Sequence, residues 1–187
     1  MNIFILSEDP VKAAQLQCDK HVVKMIVESA QMLSTTHRML DGYVEKRPSK
    51  SGKRMINYWV HPNDQREELL YKAVHHGHPC TVWTMQTNAN YEWHYKHFVA
   101  LCDEYTYRYG KVHGTDTKLR DMLSKPPSNI KWSNLYTDFA LAMQHEPQCM
   151  HKDDPVRSYQ EYYQTKQDRF NMIWSKRDVP EWFKVAA

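Results

Sequence analysis

Glycine is scarce in this chain: five residues (Gly42, Gly52, Gly77, Gly110 and Gly114) serve 187 positions, and none stands in a GxGxxG or GxxxxGK pattern. The glycine cradles that hold dinucleotides and nucleoside triphosphates are therefore excluded. Cysteine is sparse too. Cys18, Cys80, Cys102 and Cys149 lie far apart with no CxxC pair, which excludes a zinc knuckle or a dense disulfide framework and predicts reduced thiols in a cytoplasmic protein. No apolar run approaches the ~20 residues of a membrane span, and no basic segment followed by an apolar stretch opens the chain. The expectation is a soluble, unexported protein without a membrane partner. Charge of one sign is also lacking: 25 Lys and Arg face 22 Asp and Glu, for a net +3, which permits a polyanionic partner without requiring one.

What is present is ordinary globular material. Hydrophobic residues make up 41%, aromatics 12% and charged residues 25%, enough to bury a sizeable core. Ser7-Glu8-Asp9-Pro10 offers an N-cap followed by proline, so a helix begins there after a short extended apolar piece, Asn2 to Leu6. Between Asp19 and Leu40 there is neither Gly nor Pro, and Val23, Ile26, Ala30 and Leu33 recur at helical spacing opposite His21, Lys24, Glu28, Gln31 and Thr35. Residues 41–54 hold two glycines, a proline and the cations Lys46, Arg47, Lys50, Lys53 and Arg54, which predicts a mobile basic loop. Asn63 caps a helix running through Tyr71 and Val74, ended by Gly77 and Pro79. Cys80 to Tyr109 reads as a helix or helix pair jointed at Asn88, with a shorter helix at Lys118 to Leu123 and another starting at Asp154-Pro155. The fold class expected is mainly α, a single compact helical domain over 1–187 with a short extended N-terminal segment and, from 155 onward, an aromatic and basic helix and tail.

Chemistry concentrates on the helix from Asp19. Its polar stripe places an imidazole, an amine and a carboxylate on one face, because residues three and four apart are neighbours. The plain alternative is a solvated face with i,i+4 ion pairs. Of eleven histidines, His75, His76 and His78 cluster, with His61, His94 and His97 as further candidates, but without HExxH or CxxC they read as caps on helix ends, and neither metal nor cofactor is expected.

Two stretches together resemble a known family. Asp9-Pro10, Ala13-Ala14 and the run CDKHVVKMIVESAQML (Cys18 to Leu33) carry the order Asp-Lys-x-x-x-Lys-x-x-x-Glu-x-x-Gln. HPCTVW (His78 to Trp83) leads through Asn90-Tyr91 to LCDEYTYRYG (Leu101 to Gly110). This order and spacing is similar to that of the pyrimidine-dimer DNA glycosylases, the phage endonuclease V type repair enzymes and their short bacterial relatives, over roughly residues 9–110. The resemblance implies a helical protein that grips duplex DNA, attacks C1′ of a nucleotide with an amine, forms a Schiff base, and nicks the strand by β-elimination. It makes Glu28 the carboxylate that steadies the cationic sugar and shuttles protons, with Lys24 and His21 beside it, Lys20 as a flanking amine and Gln31 as a polar neighbour. It also makes His78, Trp83 and Arg108 substrate-contacting residues. An unprotonated amine is required, which suits an α-amino group. The phage enzymes use a small residue exposed after methionine removal, whereas here Met1 precedes the bulky Asn2, so the amine is that of Met1, that of Lys24, or neither.

The leading expectation is therefore a DNA glycosylase and abasic-site lyase, with Lys46, Arg47, Lys53 and Arg54 on phosphates and double-stranded DNA or a modified nucleotide as partner. Two others are kept: a transferase or hydrolase acting on a modified base or nucleotide without a Schiff base, and a non-catalytic module that binds nucleic acid or nucleotide.

Overall fold

A computed structural model describes residues 1–185. Its elements run α1 (Pro10–Gln15), α2 (Asp19–Leu40), β1 (Tyr43–Pro48), β2 (Met55–Val60), α3 (Asp64–Leu69), α4 (Pro79–Gln86), α5 (Asn88–Tyr109), α6 (Gly114–Leu119) and α7 (Pro155–Gln164), with short 3-10 turns at Pro147–Cys149 and Thr165–Asp168. The protein is mainly helical, with one two-stranded sheet. No helix among the described residues is long and apolar enough to cross a membrane. All four cysteines are free and buried.

The two 22-residue helices, α2 and α5, pack against each other, with α1 on α5 and α4 on α2. Local chemistry sets their ends. The Asp9 carboxylate accepts from the amides of Val11 and Lys12 ahead of Pro10, and Asp154 caps α7 ahead of Pro155. The Thr87 hydroxyl caps α5 and breaks it from α4, one residue before the expected joint, and Gly110 ends α5 at φ 69°.

Asn2 to Leu6 forms no strand but is the most deeply buried stretch of the N-terminal region: Ile3, Phe4, Ile5 and Leu6 are all in the core. Phe4 adopts φ 57°, a left-handed conformation that is strained for a bulky side chain. Because no sheet ladder is available, side chains satisfy the buried backbone. The Asn2 Oδ1 accepts from the Phe4 amide at 3.1 Å, Gln17 donates to the Ile3 carbonyl at 3.2 Å, and Gln160 donates to the Leu6 carbonyl at 3.2 Å.

The expected mobile loop at 41–54 is instead most of a β-hairpin, antiparallel and in register from Tyr43↔Val60 to Pro48↔Met55. Glycine, proline and cations disguise it, but Tyr43, Val44, Ile56, Tyr58, Trp59 and Val60 are good strand formers, and Gly52 supplies the turn at φ 71°. Arg38, buried in α2, anchors its base. The guanidinium donates to the carbonyls of Trp59 (2.9 Å), Tyr71 (2.8 Å), Glu67 (2.8 Å) and Leu70 (3.0 Å) and pairs with the Glu67 carboxylate. The same clamp shortens the expected helix through Val74. Leu70 turns extended so that its carbonyl and that of Tyr71 face Arg38, and Val74 instead exchanges hydrogen bonds with the Thr35 hydroxyl. The short helix expected at Lys118 to Leu123 starts earlier, where the His113 ring caps Gly114–Leu119.

Residues 120–154 are largely irregular, and side chains of α2, α4 and α5 pin them. Asp41 accepts from the amides of Ser128 and Asn129, Asn88 from that of Ser133, and Asn90 from that of Thr137. The C-terminal segment closes over the same core through Trp174, whose indole donates to the Leu16 carbonyl at 2.8 Å, and Phe183. The last two residues of the expected tail, 186–187, lie outside the described residues.

Gly42 joins α2 to the hairpin where a Cβ would stand 2.3 Å from the Arg38 carbonyl oxygen and 2.5 Å from that of Val60. Both obstacles are backbone, so Gly42→Ala should cost about 1–3 kcal/mol, as overpacking does, and lower the Tm by several degrees in calorimetry; an unchanged Tm would mean that the joint is free to move.

Candidate functional site

Glu28 sits on α2 where the N-terminal segment crosses it. Its carboxylate is 13% exposed, accepts a hydrogen bond from the Asn2 amide at 3.2 Å on Oε2, and forms ion pairs with the Met1 amine, 3.5 Å from Oε2, and with Lys24, one turn earlier, whose ammonium lies 3.2 Å from Oε1. The group lines a cavity of about 270 Å³ walled by Phe4, His21, Met25, Tyr162 and Phe170, with Lys166 and Arg169 on the side contributed by the C-terminal segment. The polar stripe of α2 is thus only in part a solvated face: Lys24 is 63% exposed, while Glu28 beside it is 13% exposed. Val23, expected inside, is 37% exposed, while His21 and Thr35 are buried: Phe4, Tyr163 and Phe170 of the terminal segments cover His21, and the segment after α3 covers Thr35 through Val74.

Each wall residue has a definite environment. His21 stacks on Phe4 (centroids 4.8 Å apart, 21° between planes) and its Nδ1 is 2.7 Å from the Tyr163 hydroxyl. Burial, reinforced by Lys24 and Lys166, lowers its pKa to about 3, so it is a neutral wall and not a proton donor at ordinary pH. Lys166 is 5% exposed, with its ammonium 3.4 Å from the centroid of the Tyr162 ring. Burial first, then the neighbouring Arg169, brings its pKa down to about 8, which leaves part of it unprotonated near neutral pH. Sequence reasoning missed Lys166 and Arg169. The signal available was their place in the basic-aromatic C-terminal stretch, four and seven residues after Tyr162.

Met1, Lys24, Glu28 and His21 are therefore brought into one cavity. Lys20 stands at its rim, its ammonium 4.7 Å from the ring centroid of Phe170. His78 caps α4 through Nδ1 and lies beside Met1; burial, then the Met1 amine, holds its pKa below the usual histidine value. Gln31 is half-buried one turn beyond Glu28 and does not line the cavity. Lys46, Arg47, Lys53 and Arg54 lie on the hairpin, Arg47 paired with Glu45 at 3.0 Å.

Two expected substrate contacts are corrected. Trp83 is 2% exposed, edge-on to Trp93, and its indole donates to the Thr137 carbonyl; it is core. Arg108 has a fully buried guanidinium bonded to Glu104 (2.7 Å), Asp19 (2.9 Å) and the Gln15 carbonyl (3.0 Å). It ties α5 to the start of α2 and cannot reach a ligand.

Among the described residues, His37, Asp41 and His61 approach one another as metal ligands can, with ligand atoms all within 4.8 Å. Most of their ligand atoms are otherwise engaged, although the Nε2 of His61 is buried without a hydrogen-bond partner among the described residues. Asp41 holds two backbone amides, the Nδ1 of His61 accepts from the Asn63 amide at 3.1 Å, and the Arg66 guanidinium lies 3.0 Å from the Nδ1 of His37. A guanidinium at that distance repels a dication, and the cluster reads as a hydrogen-bond network. His75 and His76, the expected histidine cluster, take no part in it.

Comparison with protein-family models, with curated proteins and with solved structures finds no match.

Burial also holds His37 to a pKa of about 3 and His97 to about 4, and it keeps His94 well below the usual value. An unfolded histidine takes up its proton near ~6.5. Between about pH 6.5 and 4 the unfolded chain therefore binds protons that the native one refuses, and stability falls as the pH is lowered through that window. Denaturant midpoints should be clearly lower at acid than at neutral pH; equal midpoints would show that these rings ionise in place.

Proposed function

We propose that the protein acts on nucleic acid through amine and carboxylate chemistry at this cavity, as a DNA glycosylase or abasic-site lyase. The observation that carries the reading is the Met1 amine set 3.5 Å from Glu28 inside a cavity with aromatic walls and a cationic rim. That space suits one nucleotide turned out of a duplex, its base against aromatic rings and its phosphates near Lys24, Lys166 and Arg169.

The steps follow from the groups present. The unprotonated amine attacks C1′ of the sugar, the glycosidic bond breaks, and the base leaves with its electron pair and takes a proton. Glu28 accepts the proton that the attacking amine loses and returns it to O4′ as the C1′–O4′ bond breaks, so that the nitrogen lone pair forms the iminium at C1′ of the opened sugar and Glu28, again a carboxylate, stabilises it. Loss of a C2′ proton, again to Glu28, expels the 3′ phosphate, and water releases the amine. On an abasic sugar the amine adds to the ring-opened aldehyde, with water leaving, and the later steps are the same.

A second attacking group is supported by the depressed pKa of Lys166. Its unprotonated fraction rises through about pH 8, so attack by Lys166 would give a rate that climbs through that pH and is lost in Lys166→Ala. A transferase or hydrolase without a Schiff base would use the same carboxylate and leave no covalent adduct.

Borohydride reduction during incubation with a duplex containing an abasic site should yield a protein–DNA adduct. Glu28→Gln should cut trapping by at least ~100-fold, within the range for a lost acid–base group, and peptide mapping should find the adduct on residue 1 or on Lys166. Absence of adduct with DNA still bound would rule out amine chemistry.

A further inference from the structure

Apart from Arg47, the hairpin's cations make no ion pair among the described residues. Residues 42–63 contain five cations, Lys46, Arg47, Lys50, Lys53 and Arg54, and one acid, Glu45; with 25 cations and 22 acids in the whole chain, 20 cations face 21 acids elsewhere. The net positive charge of the protein therefore resides in this element. Nothing among the described residues packs on its outer half. Every residue from Lys50 to Asn57 is exposed, and on β1 so are Tyr43, Val44, Lys46 and Pro48. An unsupported two-stranded ribbon is marginal in water, yet this one has a rigid base, held by the Arg38 clamp and by Tyr58, whose hydroxyl donates to Glu67 at 2.9 Å while Arg47 lies 4.0 Å over its ring.

We infer that the hairpin is an arm that lies in a groove of B-form DNA, with its lysines and arginines on the flanking phosphates. This rests on the proposed choice of DNA as substrate and adds where the duplex is gripped. A B-form major groove of about 12 Å admits a two-stranded ribbon, whereas the deep, narrow major groove of A-form RNA does not. Pairing in register sets Lys46 and Asn57 on the same face as Val44 and Met55, and Arg47 with Ile56 on the other. Val44 and Met55 are about half exposed and offer apolar surface to sugars and thymine methyl groups between the cations. Helix α2 links arm and cavity. From Glu28 to Asp41 it advances about 20 Å at 1.5 Å per residue, a span of about six base-pair steps at 3.4 Å each, so one duplex is long enough to meet both.

The test is fluorescence anisotropy with a short labelled B-form duplex over a series of salt concentrations, comparing the intact protein with the combined Lys46→Gln, Lys50→Gln, Lys53→Gln and Arg54→Gln variant. All four side chains are exposed, and a turn-only variant, Lys50→Glu with Lys53→Glu, serves if the first fails to fold. The salt slope should shrink by about 0.9 for each phosphate that is no longer neutralised, with affinity falling at least ~10-fold. Unchanged slope and affinity overturn the arm, as does equal arm-dependent binding of an A-form RNA duplex or preferential arm-dependent capture on anionic lipid vesicles. Borohydride trapping at low salt separates the two proposals. Arm-dependent binding without any adduct leaves the arm standing and removes the amine chemistry, whereas an adduct formed with unchanged salt slope does the reverse.

Discussion

Burial of Asn2 to Leu6 is the constraint on which the rest of the site depends. Four consecutive apolar side chains at no more than 5% exposure contribute several kcal/mol of hydrophobic free energy at about 1.5–3 kcal/mol each, and that anchors the start of the chain across α2. Once anchored, Met1 and the Asn2 amide have one place to go, the carboxylate of Glu28. The strained φ of Phe4 belongs to the same arrangement, since it accompanies the stacking of that ring on His21 as the cavity wall. Without the buried segment, Glu28 would be one half of an exposed i,i+4 pair with Lys24, worth about 0.3–0.5 kcal/mol and of no chemical interest.

Charge is arranged around that carboxylate in a way that composition conceals. Glu28 is faced by the Met1 amine and Lys24, with Lys166 and Arg169 on the opposite wall, so the cavity favours an anionic occupant. Other buried charges serve the fold. Arg38 clamps the hairpin base and the segment after α3, and Arg108 ties α5 to α2 with Glu104, which Arg177 also reaches at 2.8 Å. Each buried guanidinium has a carboxylate and at least one carbonyl, the condition under which a charge is tolerated in an interior.

Much of the fold is legible in the sequence where the signal is local. Asp9-Pro10, Asn63, Asp154-Pro155 and Gly110 mark helix ends because caps and proline act on adjacent backbone groups. The long gap free of Gly and Pro accounts for the full length of α2. The hairpin is hidden because its turn chemistry and cations outweigh two short strands in a local reading, and what stabilises it is Arg38, remote from its tip. Residue type marks Trp83 and Arg108 as groups that could touch a substrate, yet it says nothing about which side of a helix is covered, and both are enclosed.

Local sequence is enough for most helix ends and for the placing of His21, Lys24 and Glu28 on one helical face, since 3.6 residues per turn puts positions three and four apart side by side. Only the packing of distant segments covers His21 and most of Glu28 while leaving Lys24 in water, brings Met1 and Lys166, 165 positions apart, into one cavity with Glu28, and stands a basic stretch out as a ribbon. Those outcomes depend on which distant segments cover which surfaces, and that is set by the sum of many buried apolar interactions, a quantity no local pattern carries.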